Sequence, residues 1–124
     1  MKKILIVDDQ KEIRDLVEVT LSVENYRIFK AANGNEAIEI ARREKPGLII
    51  MDISMPDGPN GLEATKVIKS DPEMNAVRVI MLTGLDEEED QLLGFQAGAD
   101  EYLTKPFSPL QLINLAIKHL GQPE

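Results

Sequence analysis

The chain has 124 residues, a length that suits one domain with one hydrophobic core, and its 22 acidic and 14 basic side chains give a formal net charge of -8. That acidity disfavours direct contact with nucleic acid or an anionic membrane, and the absence of cysteine excludes disulfides and thiolate metal sites. No apolar run reaches membrane-spanning length, and Met1-Lys2-Lys3 precedes only four apolar residues, too few for a signal peptide, so a cytoplasmic location is expected.

In chain order, Ile4–Val7 is apolar at consecutive positions, the pattern of a strand buried on both faces. Ile13, Leu16, Val17, Thr20 and Leu21 then recur at spacings of three and four, which predicts a helix over 11–23. Tyr26–Ala31 alternates and predicts an edge strand. Asn33-Gly34 marks a turn, and a second helix runs through Ala37, Ile40 and Ala41 until Pro46 stops it. Leu48–Met51 is again continuously apolar, and Leu62–Lys69 predicts a third helix ended by Ser70-Asp71-Pro72. A further strand is expected over Val77–Leu82, with a fourth helix opening at Asp86 on an acidic run that suits the positive end of its dipole. Glu101–Leu103, short and mixed, predicts a second edge strand. Ser108 as N-cap, Pro109 at the first helical position and Gln111 as capping-box partner start a fifth helix, which Gly121 ends. With no linker or repeat, residues 1–124 read as one domain. The alternation predicts a single doubly wound α/β fold, with five parallel strands in order 2-1-3-4-5 and five helices.

Such sheets gather their functional residues beyond the carboxyl ends of the strands. Strand one ends in Asp8-Asp9, strand three in Asp52, strand four in Thr83, and strand five leads through Thr104 to Lys105-Pro106. With strands one and three side by side, three carboxylates meet and repel by about 4 kcal/mol per close pair at an effective dielectric near 20. A hard divalent cation with oxygen ligands compensates, and magnesium suits a site with few protein ligands. A carboxylate beside such an ion, with a lysine and a hydroxyl aimed at the same point, is equipped to receive a phosphoryl group. Asp52 is then the nucleophile, Lys105 neutralises phosphoryl charge, Thr83 hydrogen-bonds an oxygen, and Gly84 leaves room.

Four segments carry a resemblance that extends over essentially the whole chain. They are Ile4–Asp9, Ile49–Asp52 with Met55-Pro56, Met81–Gly84, and Ala97–Phe107. Together, at this spacing, the sequence resembles the flavodoxin-like receiver domains of two-component response regulators. The resemblance implies that Asp52 accepts the phosphoryl group from a phosphohistidine on a sensor histidine kinase or phosphotransfer protein. It implies Mg2+ bound directly by Asp9 and Asp52, by Asp8 mainly through water, and by the Ser54 carbonyl. It further implies that Thr83 and Lys105 hold the phosphoryl oxygens, that Tyr102 switches with Thr83, and that the bond to Pro106 is cis. No separate substrate turnover is expected, only self-phosphorylation and autodephosphorylation at Asp52. Output passes to an output domain or partner protein through the surface of the fourth helix, fifth strand and fifth helix, with homodimerisation on phosphorylation as a further route. One segment departs from the family pattern. Family members read Met-Pro, two residues, then Asp-Gly, whereas Pro56-Asp57-Gly58-Pro59-Asn60-Gly61 has one residue more.

Taken singly, these residues have plainer roles. Asp8-Asp9 would cap a helix, Thr83-Gly84 would turn the chain, and Lys105 would be a surface lysine. Tyr102 would pack on an edge strand, the run Asp86–Asp90 reads as a solvated helix start, and His119 as a solvated surface residue. Gly94 weakens the fourth helix, and Leu92, Leu93 and Phe95 cannot all face one core, so this segment is expected to shift with the switch. Two other functions share the architecture. A flavin-type cofactor module would want a glycine-, serine- or threonine-rich loop after strand one, where this chain has Asp8-Asp9-Gln10. An aspartyl-phosphate phosphohydrolase would need a substrate-covering cap, for which 124 residues leave little chain.

Overall fold

Continuously apolar segments take the middle of the sheet. In the computed structural model, which describes residues 2–23, 25–56, 58–84, 95 and 97–121, the central strands are β1 (Lys3–Val7), β3 (Leu48–Asp52) and β4 (Arg78–Thr83). The alternating and mixed segments form the edges, β2 (Arg27–Ala31) and β5 (Glu101–Thr104). The order is β2-β1-β3-β4-β5 and every neighbouring pair is parallel, as the alternation requires. β3 is buried at all five positions, whereas β2 exposes Arg27 and Lys30.

The two-residue period of the strands divides the core into two layers. Leu5, Val7, Ile49, Met51, Val79 and Met81 face one way, against Ala37 and Ala41 of α2 (Gly34–Glu44) and Ala64 and Ile68 of α3 (Gly61–Ser70). Ile4, Ile6, Leu48, Ile50, Ile80 and Leu82 face the other, against Val17 and Leu21 of α1 (Lys11–Leu21) and Leu112 and Ala116 of α4 (Pro109–Leu120). Each fully buried aliphatic side chain contributes about 1.5–3 kcal/mol relative to exposure. That stabilisation fixes the sheet rigidly enough to aim side chains from its edge.

The helix starts follow local chemistry. Asn33 and Asn60 each accept a backbone N–H from the third residue on, and at α3 Glu63 returns the bond to complete a capping box. The sequence reading started α3 at Leu62 and overlooked this Asn60–Glu63 pair. At α4, Ser108 Oγ accepts the Gln111 N–H at 3.3 Å with Pro109 at the first helical position. α2 ends on Lys45 in the left-handed region at φ 48°, which costs a residue with a Cβ about 1–2 kcal/mol.

Among the described residues there are four helices, and none is long and apolar enough to cross a membrane. The helix expected from Asp86, with Leu92, Leu93 and Gly94, lies outside the described residues. The expectation of a solvated His119 is corrected, because its side chain is only 12% exposed. It lies seven residues after the buried Leu112, two helical turns along the same face of α4, and this brings its Nε2 to 3.7 Å from Glu101 on β5.

Candidate functional site

Parallel pairing of β1 with β3 ends in the register Val7 to Met51, so Asp8 and Asp52 leave adjacent strands at the same level. One carboxylate oxygen from each of Asp8, Asp9 and Asp52 lies within 4.8 Å of the others. Asp8 and Asp52 are buried while Asp9 is exposed. The pairing of β4 with β5 ends at Thr83 and Thr104, and the Lys105 N–H donates to the Thr83 carbonyl at 2.7 Å. Lys105 therefore starts from the same sheet edge, and the Lys105–Pro106 peptide bond is cis.

The ammonium of Lys105 reaches both buried carboxylates, at 2.9 Å from Asp8 Oδ2 and 3.1 Å from Asp52 Oδ1. Asp8 Oδ1 also accepts the Gln10 N–H at 2.9 Å, and Asp52 Oδ1 accepts a long 3.4 Å bond from the Ser54 N–H. Burial pushes the Asp52 carboxyl up to about 6, the Asp8 charge adds to this, and Lys105 and the Ser54 N–H act against it. For Lys105, burial works downward, but its bonds to Asp8 and Asp52 outweigh it and the pKa is raised. The site thus sets three carboxyl groups around one ammonium whose charged form its partners favour.

That donor set fits a hard divalent cation. Oxygen ligands from two successive β1-end residues and one β3-end residue converge, Asp9 faces solvent where hydrated ions arrive, and no sulfur or imidazole competes in the group. Thr83 is buried at 2% exposure, and its Oγ1 lies 3.5 Å from the Gly84 carbonyl. Tyr102 pairs with Met81 in the sheet, and its half-buried ring meets Phe95 edge-on at 4.7 Å. Asp8, Asp9, Asp52 and Lys105 are thus brought together. Thr83 stands one residue beyond Leu82, the register partner of Asp52, and Tyr102 sits further back on the edge strand.

Several residues that shape this edge were not singled out in the sequence. Arg14 Nη1 donates to the Asp8 carbonyl at 2.7 Å, tying the first turn of α1 to the β1 end. A cation in the first turn opposes the helix dipole, and that mismatch was a readable signal. At the opposite end of the sheet, away from the site, Asp100 accepts from the Val79 N–H, Lys69 and Arg78, which joins α3 to the starts of β4 and β5. The longer loop after Asp52 has its own anchors. A Cβ at Gly61 would collide with the Asp52 carbonyl, and one at Gly34 with the Pro59 carbonyl, so glycine at both positions lets the loop pack against β3 and α2.

A family model described as the response regulator receiver domain matches residues 4–117. Among solved structures, the chemotaxis protein CheY4 of Vibrio cholerae is 33% identical with a TM-score of 0.88, covering 96% of this chain and 98% of that one. The beryllofluoride-activated DrrB receiver domain is 34% identical with a TM-score of 0.87, over 98% and 99%. NtrX from Brucella abortus is 32% identical with a TM-score of 0.86, over 97% of this chain but 27% of its own length, so there the matching unit belongs to a longer protein. With the family matched over nearly its whole length and the carboxylate group at its strand ends, this chain belongs to the receiver domains of two-component response regulators.

Proposed function

We propose that Asp52 is the phosphoryl acceptor of a receiver domain spanning residues 1–124, and that a sensor histidine kinase or phosphotransfer protein is the donor. The observation that carries this reading is Lys105 lying 3.1 Å from Asp52 within a group of three carboxylates. In the transfer, the nitrogen–phosphorus bond of the donor histidine breaks as an Asp52 oxygen–phosphorus bond forms. Asp8, Asp9, Asp52 and the Ser54 carbonyl would hold Mg2+, which when bound neutralises charge on the phosphoryl oxygens. Lys105 moves its ammonium from the carboxylates toward the incoming group, and Thr83 donates its hydroxyl to another phosphoryl oxygen. The chemistry is self-phosphorylation and hydrolysis at one carboxylate, without turnover of a separate substrate, in the cytoplasm.

Readout follows from Thr83 and Tyr102 standing on adjacent strands. As Thr83 moves toward the phosphoryl group, Tyr102 turns inward, and the surface of β5, α4 and the segment from Asp86 changes its partner. That partner is an output domain, a separate protein or a second copy of the chain. The edge-on contact with Phe95, itself 54% exposed, supports a tyrosine in communication with that surface. Amide shifts on adding beryllofluoride should reach Phe95, Tyr102 and α4; shifts confined to the loops around Asp52 would sink the coupling.

Acetyl phosphate with Mg2+ tests the acceptor. One phosphoryl group should appear by intact mass, stable to acid and labile to base, and should be absent from Asp52→Asn. Label retained in that variant would move the acceptor elsewhere.

A further inference from the structure

Two cavities adjoin on the opposite edge of the sheet, where β1, β3 and β4 begin. The first, of about 300 Å³, is walled by Ala41, Pro46, Met74 and Val77. The second, of about 490 Å³, is lined by Lys2, Lys3, Arg78 and His119. Lys45, Gly47 and Ala76 line both and so mark the junction. Four lysine and arginine side chains stand here against two carboxylates, Glu44 and Glu73, in a chain whose net charge is -8.

Not all of that positive charge is uncommitted. Lys2 donates to the Leu120 carbonyl, Lys3 lies 3.3 Å from Glu44, and Arg78 lies 3.3 Å from Asp100. Lys45 makes no ion pair among the described residues. It is also their one non-glycine residue of positive φ. Glycine would relax that backbone, yet a lysine occupies it and keeps a cation at the mouth shared by the apolar and the cationic cavity.

The geometry points to a binding site for a small organic anion with an apolar body, of the class of medium-chain carboxylates, its body in the Ala41–Met74 cavity and its charge at Lys45. The scale favours a small ligand over a protein. A stable protein interface takes roughly 20–30 residues a side, whereas fourteen residues line these two cavities. Their volumes fall within the range of about 300–1,000 Å³ typical of small-ligand sites. The site is separate from the carboxylate group at the other strand ends and acts without it.

Sodium octanoate is a suitable probe, followed by amide shifts of the full chain, with octylammonium as the charge-reversed control. Octanoate should shift Ala41, Gly47, Ala76 and Val77 saturably, and octylammonium should not. Lys45→Gly should melt higher than wild type, because it relieves the left-handed backbone, yet bind octanoate about tenfold more weakly. The reading is overturned if octanoate gives no saturable shift, if octylammonium gives the same shifts, or if Lys45→Gly binds octanoate as wild type does.

Discussion

Lys105 holds its ammonium nitrogen 3.1 Å from Oδ1 of Asp52, although 53 positions separate the two in sequence. The same nitrogen lies 2.9 Å from Asp8, so a single cation offsets two buried carboxylates when no metal is bound. Sequence reasoning assigned that compensation to a metal alone; the fold supplies part of it internally. Replacing Lys105 by Met should therefore raise the Asp52 pKa further above about 6 and lower metal-free stability by about 2 kcal/mol. That is less than the 3–5 kcal/mol for breaking a fully buried pair, because the ammonium keeps contact with water. Carboxyl NMR titration and urea melts in chelator check it, and an unmoved Asp52 titration would show that the contact has no electrostatic weight.

The raised pKa of Asp52 has a definite consequence for stability against pH. Unfolded, the group titrates near 3.8; folded, near about 6, so the folded state binds its proton more tightly. Its stabilising contribution is complete below pH 3.8 and is lost as pH rises through about 6. Asp52→Asn should consequently gain on wild type across that window, by about 1–2 kcal/mol at neutral pH in chelator. Full conversion at ~1.4 kcal/mol per unit would overstate it, since Asp52→Asn also gives up the ion pair with the partly exposed Lys105. Melts of both proteins from pH 4 to about 8 decide the matter. A gap that stays flat, or widens toward acid, contradicts the assignment.

Metal dependence should separate Asp9 from Asp8. Asp9 is exposed and makes no ion pair among the described residues, so Asp9→Asn removes repulsion without disturbing Lys105. Without metal it should melt at or above wild type. In wild type, Mg2+ at a hundred times its dissociation constant should add about 2.7 kcal/mol, and in Asp9→Asn most of that gain should vanish. Asp8→Asn also relieves repulsion on Asp52 but gives up its ion pair with Lys105, so without metal it should gain less than Asp9→Asn. Equal Mg2+-induced shifts in wild type and Asp9→Asn would remove Asp9 from the ligand set.

Gly34→Ala tests the anchoring of the longer loop. The added methyl would meet the Pro59 carbonyl, which is backbone and yields poorly, so a loss of about 1–3 kcal/mol is expected. Because the same loop carries Ser54 beside Asp52, labelling by acetyl phosphate should slow as well. Gly47→Ala, where the added group would press on the flexible end of Leu120 and meet the Lys3 carbonyl only at ordinary contact distance, serves as control and should leave labelling unchanged. Normal labelling in Gly34→Ala would show that the loop anchor has no bearing on the site.

Sequence alone determined the sheet, and it singled out the residues that the sheet then brings to one edge. Ile4–Val7 and Leu48–Met51 are apolar at every position, a pattern that at this length, alternating with helical periods, suits strands covered on both faces, and Asp8, Asp52 and Thr83 follow such runs directly. Both signals are local, so they survive without knowledge of any partner. Tertiary structure decided the rest. That Lys105 bridges Asp8 and Asp52, that Asp100 gathers Lys69, Arg78 and the Val79 N–H, and that Pro59 seats on Gly34 are contacts between distant segments. His119 was misread for the same reason, since whether the last turn of a helix meets water or a neighbouring strand depends on how the helix docks. A side chain's chemistry is written in its own residue, but its partner is chosen by the packing of the whole sheet.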